Sequence, residues 1–477
     1  MSVLQRFFKD TIIYGLAIVL PRLINFLLTR LYTDVLPNES FSTNTVFYVY
    51  AAFFNVIFTY GMETAFFRFF SKYNNKNSVL STALITVSTS TFLIGILLFL
   101  CDHQLANFMS IDLLSYRILI SITLLETLIV IPFAYLRVTG RPIRFAIIKL
   151  TNVFIIVGLN ILFLSKNYQS ETLRNFFNVD NDVIYIFIAN LIASICILVL
   201  MLPYFFKTKL QFDFIVLKGL LRYGWPIMVA GVAFVINENF DKWFLDDQDK
   251  FVNGAYSACY KIAVFMTLFV TAFKMGAEPF FFNHAKSENA KENYATILKY
   301  FTIVGAIGLL TITVYIDIIK DLIIKNDSYL LALDIVPIIL LANLCLGIYH
   351  NLSIWYKLTD KTRYGMYISI FGAVITISII LAFTPTYGFI ACAYATLCAY
   401  GSMMLISYFL GRQHYPVPYQ IKRIGLYLGV ASVFSFLAFY QFDQNIYIGT
   451  LFLIVFLSLV VFLEKTELKH LLKQTSL

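Results

Sequence analysis

The chain is expected to be an all-α polytopic membrane protein with about fourteen transmembrane helices, and three observations lead there. Of its 477 residues, 60% are hydrophobic and only 13% charged, with mean hydropathy +0.78, more apolar surface than a water-soluble interior could enclose. Apolar stretches of roughly 20 residues, the length a helix needs to cross about 30 Å of hydrocarbon, recur along the whole sequence. The short alternating segments of a membrane β-barrel are not seen.

The first span, Phe8 to Leu31, follows Arg6 and Lys9 like a signal peptide. Its apolar run is long and no A-x-A site follows, so it is expected to stay as an uncleaved helix. Thr45 to Phe70 is the second, a Phe-, Tyr- and Val-rich run that nonetheless carries Glu63 and Arg68. Val79 to Cys101, Leu113 to Leu136, Phe145 to Leu164 and Val183 to Phe206 complete a first six. Leu220 to Phe240 and Val252 to Met275 flank the acidic LDDQDK loop, Leu245 to Lys250. Ala295 to Tyr315, Leu333 to Tyr356, Tyr364 to Phe383 and Gly388 to Leu410 complete a second six, and Ile424 to Tyr440 and Ile446 to Leu463 follow. The expected organisation is therefore residues 1–206, residues 207–410 and an added pair within 411–477.

The two sixes share a pattern. G-x-E-x-x-F-F occurs at Gly61 to Phe67 and again at Gly276 to Phe282, and Tyr14-Gly15 at the start of span 1 is matched by Tyr223-Gly224 at the start of span 7. An offset of six spans preserves orientation, so this is a parallel repeat, the kind whose halves form a transporter with its site between them.

Placing the N-terminus in the cytoplasm puts 26 of the 36 Lys and Arg residues on the inner side and 7 on the outer, so both termini are expected inside. The net charge of +9 is thus a topology signal that needs no nucleic-acid partner. The six cysteines, Cys101, Cys196, Cys259, Cys345, Cys392 and Cys398, lie in or at the ends of spans with no C-x-x-C pair, and are expected to be small core residues.

A charge near the bilayer centre costs at least about 2.5–3.5 kcal/mol, so each one requires a partner or water. Arg22, Glu63, Arg117, Glu126, Glu238 and Lys261 are the ones so placed. Arg117 is near an outer end and reads as interfacial. Arg68, Lys274 and Glu278 are close enough to the inner ends to snorkel or to face a lumen. Glu63 and Arg68, five residues apart, point in different directions round a helix and cannot pair with each other. Arg22 and Lys261 lie deep, where a central cavity would be lined by both halves. Pro21 and Asn25 near Arg22, and Pro226 in span 7, are expected to interrupt their helices, as broken helices do near transporter sites. Two deep cations suit an anionic ligand.

YGLAIVLPRLINFLLTRLYTDVL (Tyr14 to Leu36), TYGMETAFFRFFSKY (Thr59 to Tyr73) and GAYSACYKIAVFMTLFVTAFKMGAEPFFF (Gly254 to Phe282) resemble the bacterial polysaccharide-biosynthesis flippases of the multidrug/oligosaccharidyl-lipid/polysaccharide exporter superfamily. The resemblance implies two six-helix lobes in a V plus two C-terminal helices, and alternating access that turns an undecaprenyl-pyrophosphate-linked oligosaccharide across the bacterial inner membrane for surface polysaccharide or lipopolysaccharide synthesis. It implies a monomer among membrane lipids, working beside the glycosyltransferases or polymerase of its pathway. No cofactor is expected, and coupling to Na+ or H+ stays unassigned. The substrate-binding candidates are Arg22, Asn25, Arg68, Lys261 and Lys274; the candidates for coupling ion or counter-charge are Glu63, Glu126, Glu238 and Glu278. Asn237-Glu238-Asn239 with Asp241-Lys242 is a further candidate ion site.

A multidrug exporter of the same superfamily is the nearest alternative, less suited to so many basic residues. A membrane glycan-processing enzyme is the alternative of another class. It would need outward carboxylates or a large outer loop, and LDDQDK is short; His350, at an inner span end, has no evident partner in sequence.

Overall fold

The computed structural model describes residues 20, 23–24, 26–164, 181–206, 211–283, 287–359, 361 and 363–475, with backbone alone at 276, 278–279, 282–283 and 466–475. Among these residues every regular element is helical, and thirteen helices are long and apolar enough to cross a membrane. They correspond to expected spans 2 to 14, so the protein is a multi-pass membrane protein. Expected span 1 falls largely outside the described residues, which begin a continuous helix, α1, at residues 26–35.

The chain separates into two compact units, Met1–Ser257 and Ala258–Leu477. In the first, α2 (Asn38–Thr59) and α3 (Met62–Lys72) form one span broken about two-thirds of the way along. Tyr60 (φ 34°) and Gly61 (φ 73°) both turn left-handed there, a conformation that costs a side chain about 1–2 kcal/mol and a glycine almost nothing. Gly61 is needed for space as well, because a methyl group on it would overlap the Gly224 carbonyl. The remaining helices of the unit are α4 (Lys76–Leu100), the short α5 (Asp102–Phe108), α6 (Leu113–Val138), α7 (Pro142–Leu164), α8 (Asp182–Phe206), α9 (Phe214–Gln248) and the start of α10 (Lys250–Asn283). Side-chain caps fix three starts: Asn75 accepts from Ser78 N–H at 3.1 Å, Asp112 from Ser115 N–H at 2.9 Å, and Asp213 from Ile215 and Val216 N–H.

Helix α6 is the hub of this unit. Tyr116, Leu119, Ile120, Ile131, Ala134 and Leu136 are fully buried against α2, α4 and α8. Helix α9, expected to open the second six, packs along α2 and α3. Pro226 does not interrupt it, contrary to expectation. Proline removes one backbone hydrogen bond, a loss transmembrane helices absorb, and the break falls instead at Tyr60–Gly61.

The second unit continues α10 and adds α11 (Ala290–Val314), α12 (Ile316–Ile323), a 3-10 stretch (Asp327–Ile335), α13 (Val336–Leu352), α14 (Ile354–Leu358), α15 (Arg363–Tyr387), α16 (Phe389–His414), α17 (Ile421–Phe436) with a π-helical turn to Gln441, and α18 (Ile446–Thr475). Nearly every residue of α13 is buried, against α11 and α16. The added pair, α17 and α18, packs on α11. There Glu464 of α18 accepts from Lys299 Nζ of α11 at 2.7 Å and from Arg423 and Tyr427 of α17 at 3.1 and 2.6 Å, with the Lys299 and Glu464 side chains fully buried. All six cysteines are free thiols. Cys259, Cys345 and Cys392 are buried as expected, whereas Cys398 is exposed because it lies on an outward face of α16.

Candidate functional site

A cavity of about 460 Å³ opens within the first unit, walled by α2, α3, α6, α7 and α8. Helical periodicity builds its walls. Glu126, Val130, Phe133 and Arg137 recur every three or four residues on one face of α6, and Phe145, Lys149 and Asn152 do the same on α7. Asn55 and Thr59 come from α2, Glu63 from the first turn of α3 and Ser194 from α8.

Two carboxylates and two cations share this space. Glu126 accepts a hydrogen bond from Asn55 Nδ2 at 2.8 Å. Glu63, at a helix N-terminus that favours negative charge, pairs with Arg137 at 2.8 Å, and both side chains are about two-fifths exposed. The Arg137 guanidinium also lies 4.9 Å from the Phe67 ring centre, and Lys149 Nζ lies 4.3 Å from that of Phe133. The Asn152 side-chain oxygen is buried in the wall without a hydrogen-bond partner, which costs about 1–3 kcal/mol unless a water, ion or ligand reaches it. The arrangement is formally neutral. Adding a proton or a cation beside Glu126 would leave net positive charge, so the pocket can couple cation occupancy to its electrostatics.

A family model described as polysaccharide biosynthesis protein matches residues 7–284, more than half of the chain. The chain belongs to the polysaccharide biosynthesis protein family. A second model, MatE, matches residues 226–384. Among solved structures, the chain is similar to the lipid II flippase MurJ in an inward closed conformation, with TM-score 0.70 and 19% identity over 94% of this chain and 99% of that one. It is also similar to an inward-facing multidrug resistance MATE family transporter of the MOP superfamily, with TM-score 0.64 and 14% identity over 85% and 95% of the two chains. The MATE multidrug transporter DinF-BH in complex with R6G gives TM-score 0.63 and 14% identity over 87% and 97%. Identities this low carry the fold alone. No curated protein sequence matches.

In this polysaccharide biosynthesis family member, the cavity gathers two of the sequence-derived candidates, Glu63 and Glu126. Arg22 and Asn25 lie outside the described residues, as does the Glu278 side chain. Arg68 is exposed, its guanidinium 4.5 Å from the Tyr223 ring centre, pointing away from Glu63 as their spacing requires. Lys261 is exposed on α10, and Lys274 lines a separate small space with His350 and Asn351 in the second unit. Glu238 is half-buried, and its backbone carbonyl accepts from Lys242 Nζ at 2.6 Å. The candidate ion site after it is filled by the chain's own ammonium. Lys242 pairs with Asp241 at 3.1 Å, both buried, and Tyr256 O–H donates to the same carboxylate at 2.6 Å. Arg117 pairs with Asp102 of α5 at 2.7 Å, half-exposed at a helix boundary as the interfacial reading requires.

Sequence reasoning missed Arg137 and Lys149, which a charge count assigns to the inner boundary, and Asn55 and Asn152. The missed signal was periodic: a cation and an amide at Lys149 and Asn152 share one face of a span with Phe145.

Proposed function

We propose that this protein is a flippase that carries an undecaprenyl-pyrophosphate-linked oligosaccharide across the bacterial cytoplasmic membrane by alternating access, with both termini cytoplasmic. The observation that carries the reading is the polysaccharide biosynthesis family match over residues 7–284, joined by the fold likeness to MurJ. That likeness takes in 94% of this chain, against 85% and 87% for the two MATE transporters, and this chain has the two spans beyond the repeat.

In this reading residues 1–206 and 207–410 are the two repeat lobes, and the pair within 411–477 is an accessory. Arg22, Asn25, Arg68, Lys261 and Lys274 meet the pyrophosphate and sugar. Glu63 and Glu126 serve the coupling ion, Na+ or H+, in the polar cavity of the first unit, while Glu238 and Glu278 act as counter-charges. Charge is what the assignment rests on: fixed cations offset the cost of bringing a pyrophosphate into hydrocarbon, and a carboxylate opposite an amide can exchange a proton or small cation.

The MatE match over residues 226–384 favours a second reading, export of drugs. One assay separates them. Protein reconstituted in vesicles is given a lipid-linked oligosaccharide or a cationic dye, and movement of the dye with no movement of the glycolipid would replace the flippase with the exporter.

A further inference from the structure

We propose that the cleft between α16 and α17 is a binding site for an anionic phospholipid, distinct from and independent of the transported passenger. Its phosphate sits among Arg412, Lys422 and Arg423, and one acyl chain follows a glycine-floored slot.

The head site is a shallow crevice of about 870 Å³ where residues 415–420 join the two helices. Arg412, Lys422 and Arg423 line it with Tyr408, Tyr419 and Gln420, and no carboxylate does. The Glu464 carboxylate behind Arg423 is shared with the buried Lys299, and Arg412 and Lys422 add two further positive charges to the crevice. Aromatic rings mark the depth. Lys291 Nζ lies 4.8 Å from the Tyr415 ring centre, Tyr408 and Tyr419 are 6.5 Å apart, and Trp355 stacks on His414 at 5.2 Å. Such a belt belongs at headgroup level, where basic pockets between helices attract lipid phosphates.

The chain site is written in helical periodicity. On α17, Lys422, Gly425, Gly429, Ser432, Phe436 and then Tyr440 recur every three or four residues. On α16, Arg412, Tyr408, Leu405, Gly401, Leu397 and Tyr394 do so in the opposite chain direction. The backbones of the two helices scarcely approach within 8 Å of each other. Around Gly401, Gly425 and Gly429 there is open space where side chains would stand.

Farther along the same two helix faces lies an apolar groove of about 310 Å³, lined by Leu397, Ser432, Phe436 and Tyr440 over Pro337 and Ile338 of α13. From Lys422 to Ser432 is ten residues, about 15 Å of helix. That is one half of the roughly 30 Å hydrocarbon layer, the depth reached by the acyl chains of a single leaflet. Length and charge together therefore select a phospholipid over a much longer isoprenoid.

The test is native mass spectrometry of the full chain in detergent, offered phosphatidylglycerol and phosphatidylcholine with identical acyl chains. Wild type is expected to retain phosphatidylglycerol about tenfold over phosphatidylcholine, a difference of about 1.4 kcal/mol. The double variant Arg412→Gln, Lys422→Gln is expected to lose the preference. Gly429→Leu, which fills the slot and leaves the cations, is expected to weaken retention of both lipids. Competition on wild-type protein needs no variant: glycerol 3-phosphate, a head without a chain, is expected to displace little. Equal retention of the two lipids by wild type, an unchanged preference in a folded double variant, or displacement by glycerol 3-phosphate as effective as by the lipid would overturn the proposal. So would tighter retention of undecaprenyl phosphate than of phosphatidylglycerol, which would give the slot to an isoprenoid carrier.

Discussion

Glu126 sits three turns from Arg137 on one face of α6, opposite Asn55, and that placement gives it a testable task. Glu126→Gln retains a carbonyl for the Asn55 hydrogen bond and removes the charge. The expected outcome is normal insertion with transport reduced about tenfold or more and no longer responsive to an imposed ion gradient, followed in reconstituted vesicles. Asp102 makes a different prediction at the membrane boundary. The Arg117 guanidinium hydrogen-bonded to it, helped by the His103 backbone N–H, holds its carboxyl below the usual carboxylate range. A lowered folded-state pKa contributes stability above the unfolded value of about 3.9, and the contribution is lost as pH falls through the folded value. Wild type should therefore have the higher thermal midpoint over Asp102→Asn at pH 6, and the gap should start to narrow only as pH falls below about 4. Of these charges, the sequence singles out Arg117 and Glu126 as candidates. It could not locate Glu126's partners, because Asn55 and Lys149 become its neighbours only when three helices pack.

Span positions were legible in the sequence, since a hydropathy window measures the same quantity that decides insertion, although α9 starts six residues before and ends eight residues beyond the expected Leu220–Phe240. Breaks inside helices were not. Pro226 is the stronger sequence signal for an interruption, yet α9 runs through it, whereas Tyr60–Gly61 interrupts span 2 because its backbone must lie against Gly224. The ties between elements were equally hidden. Lys299 and Glu464 fall near span ends and look like boundary charges, but they meet in the buried seam that holds α18 and α17 on α11. Glu464→Ala would remove the buried carboxylate that Lys299, Arg423 and Tyr427 all donate to, a loss of about 3–5 kcal/mol. Arg423→Ala, at the half-exposed rim, should cost about 1 kcal/mol or less. Thermal unfolding of both variants in detergent checks the order, and equal losses would deny the seam its anchoring role.

At the scale of the molecule, composition alone fixes a multi-pass helical membrane protein, and thirteen helices of the required length confirm that class among the described residues. The sided excess of Lys and Arg and the G-x-E-x-x-F-F repeat add orientation and a two-lobe plan as expectations. The polar cavity belongs to neither kind of signal, since five helices spread between Asn55 and Ser194 contribute to it. The central claim is that cations are kept within apolar spans because a phosphate-bearing lipid passes them. Its most direct test is the movement of an undecaprenyl-pyrophosphate-linked oligosaccharide across vesicles containing wild-type protein, Arg22→Ala or Lys261→Ala, scored by access of an externally added glycan-binding probe. Rapid movement with wild type and its loss with either correctly inserted variant is the predicted result; movement at the wild-type rate with both variants would contradict it.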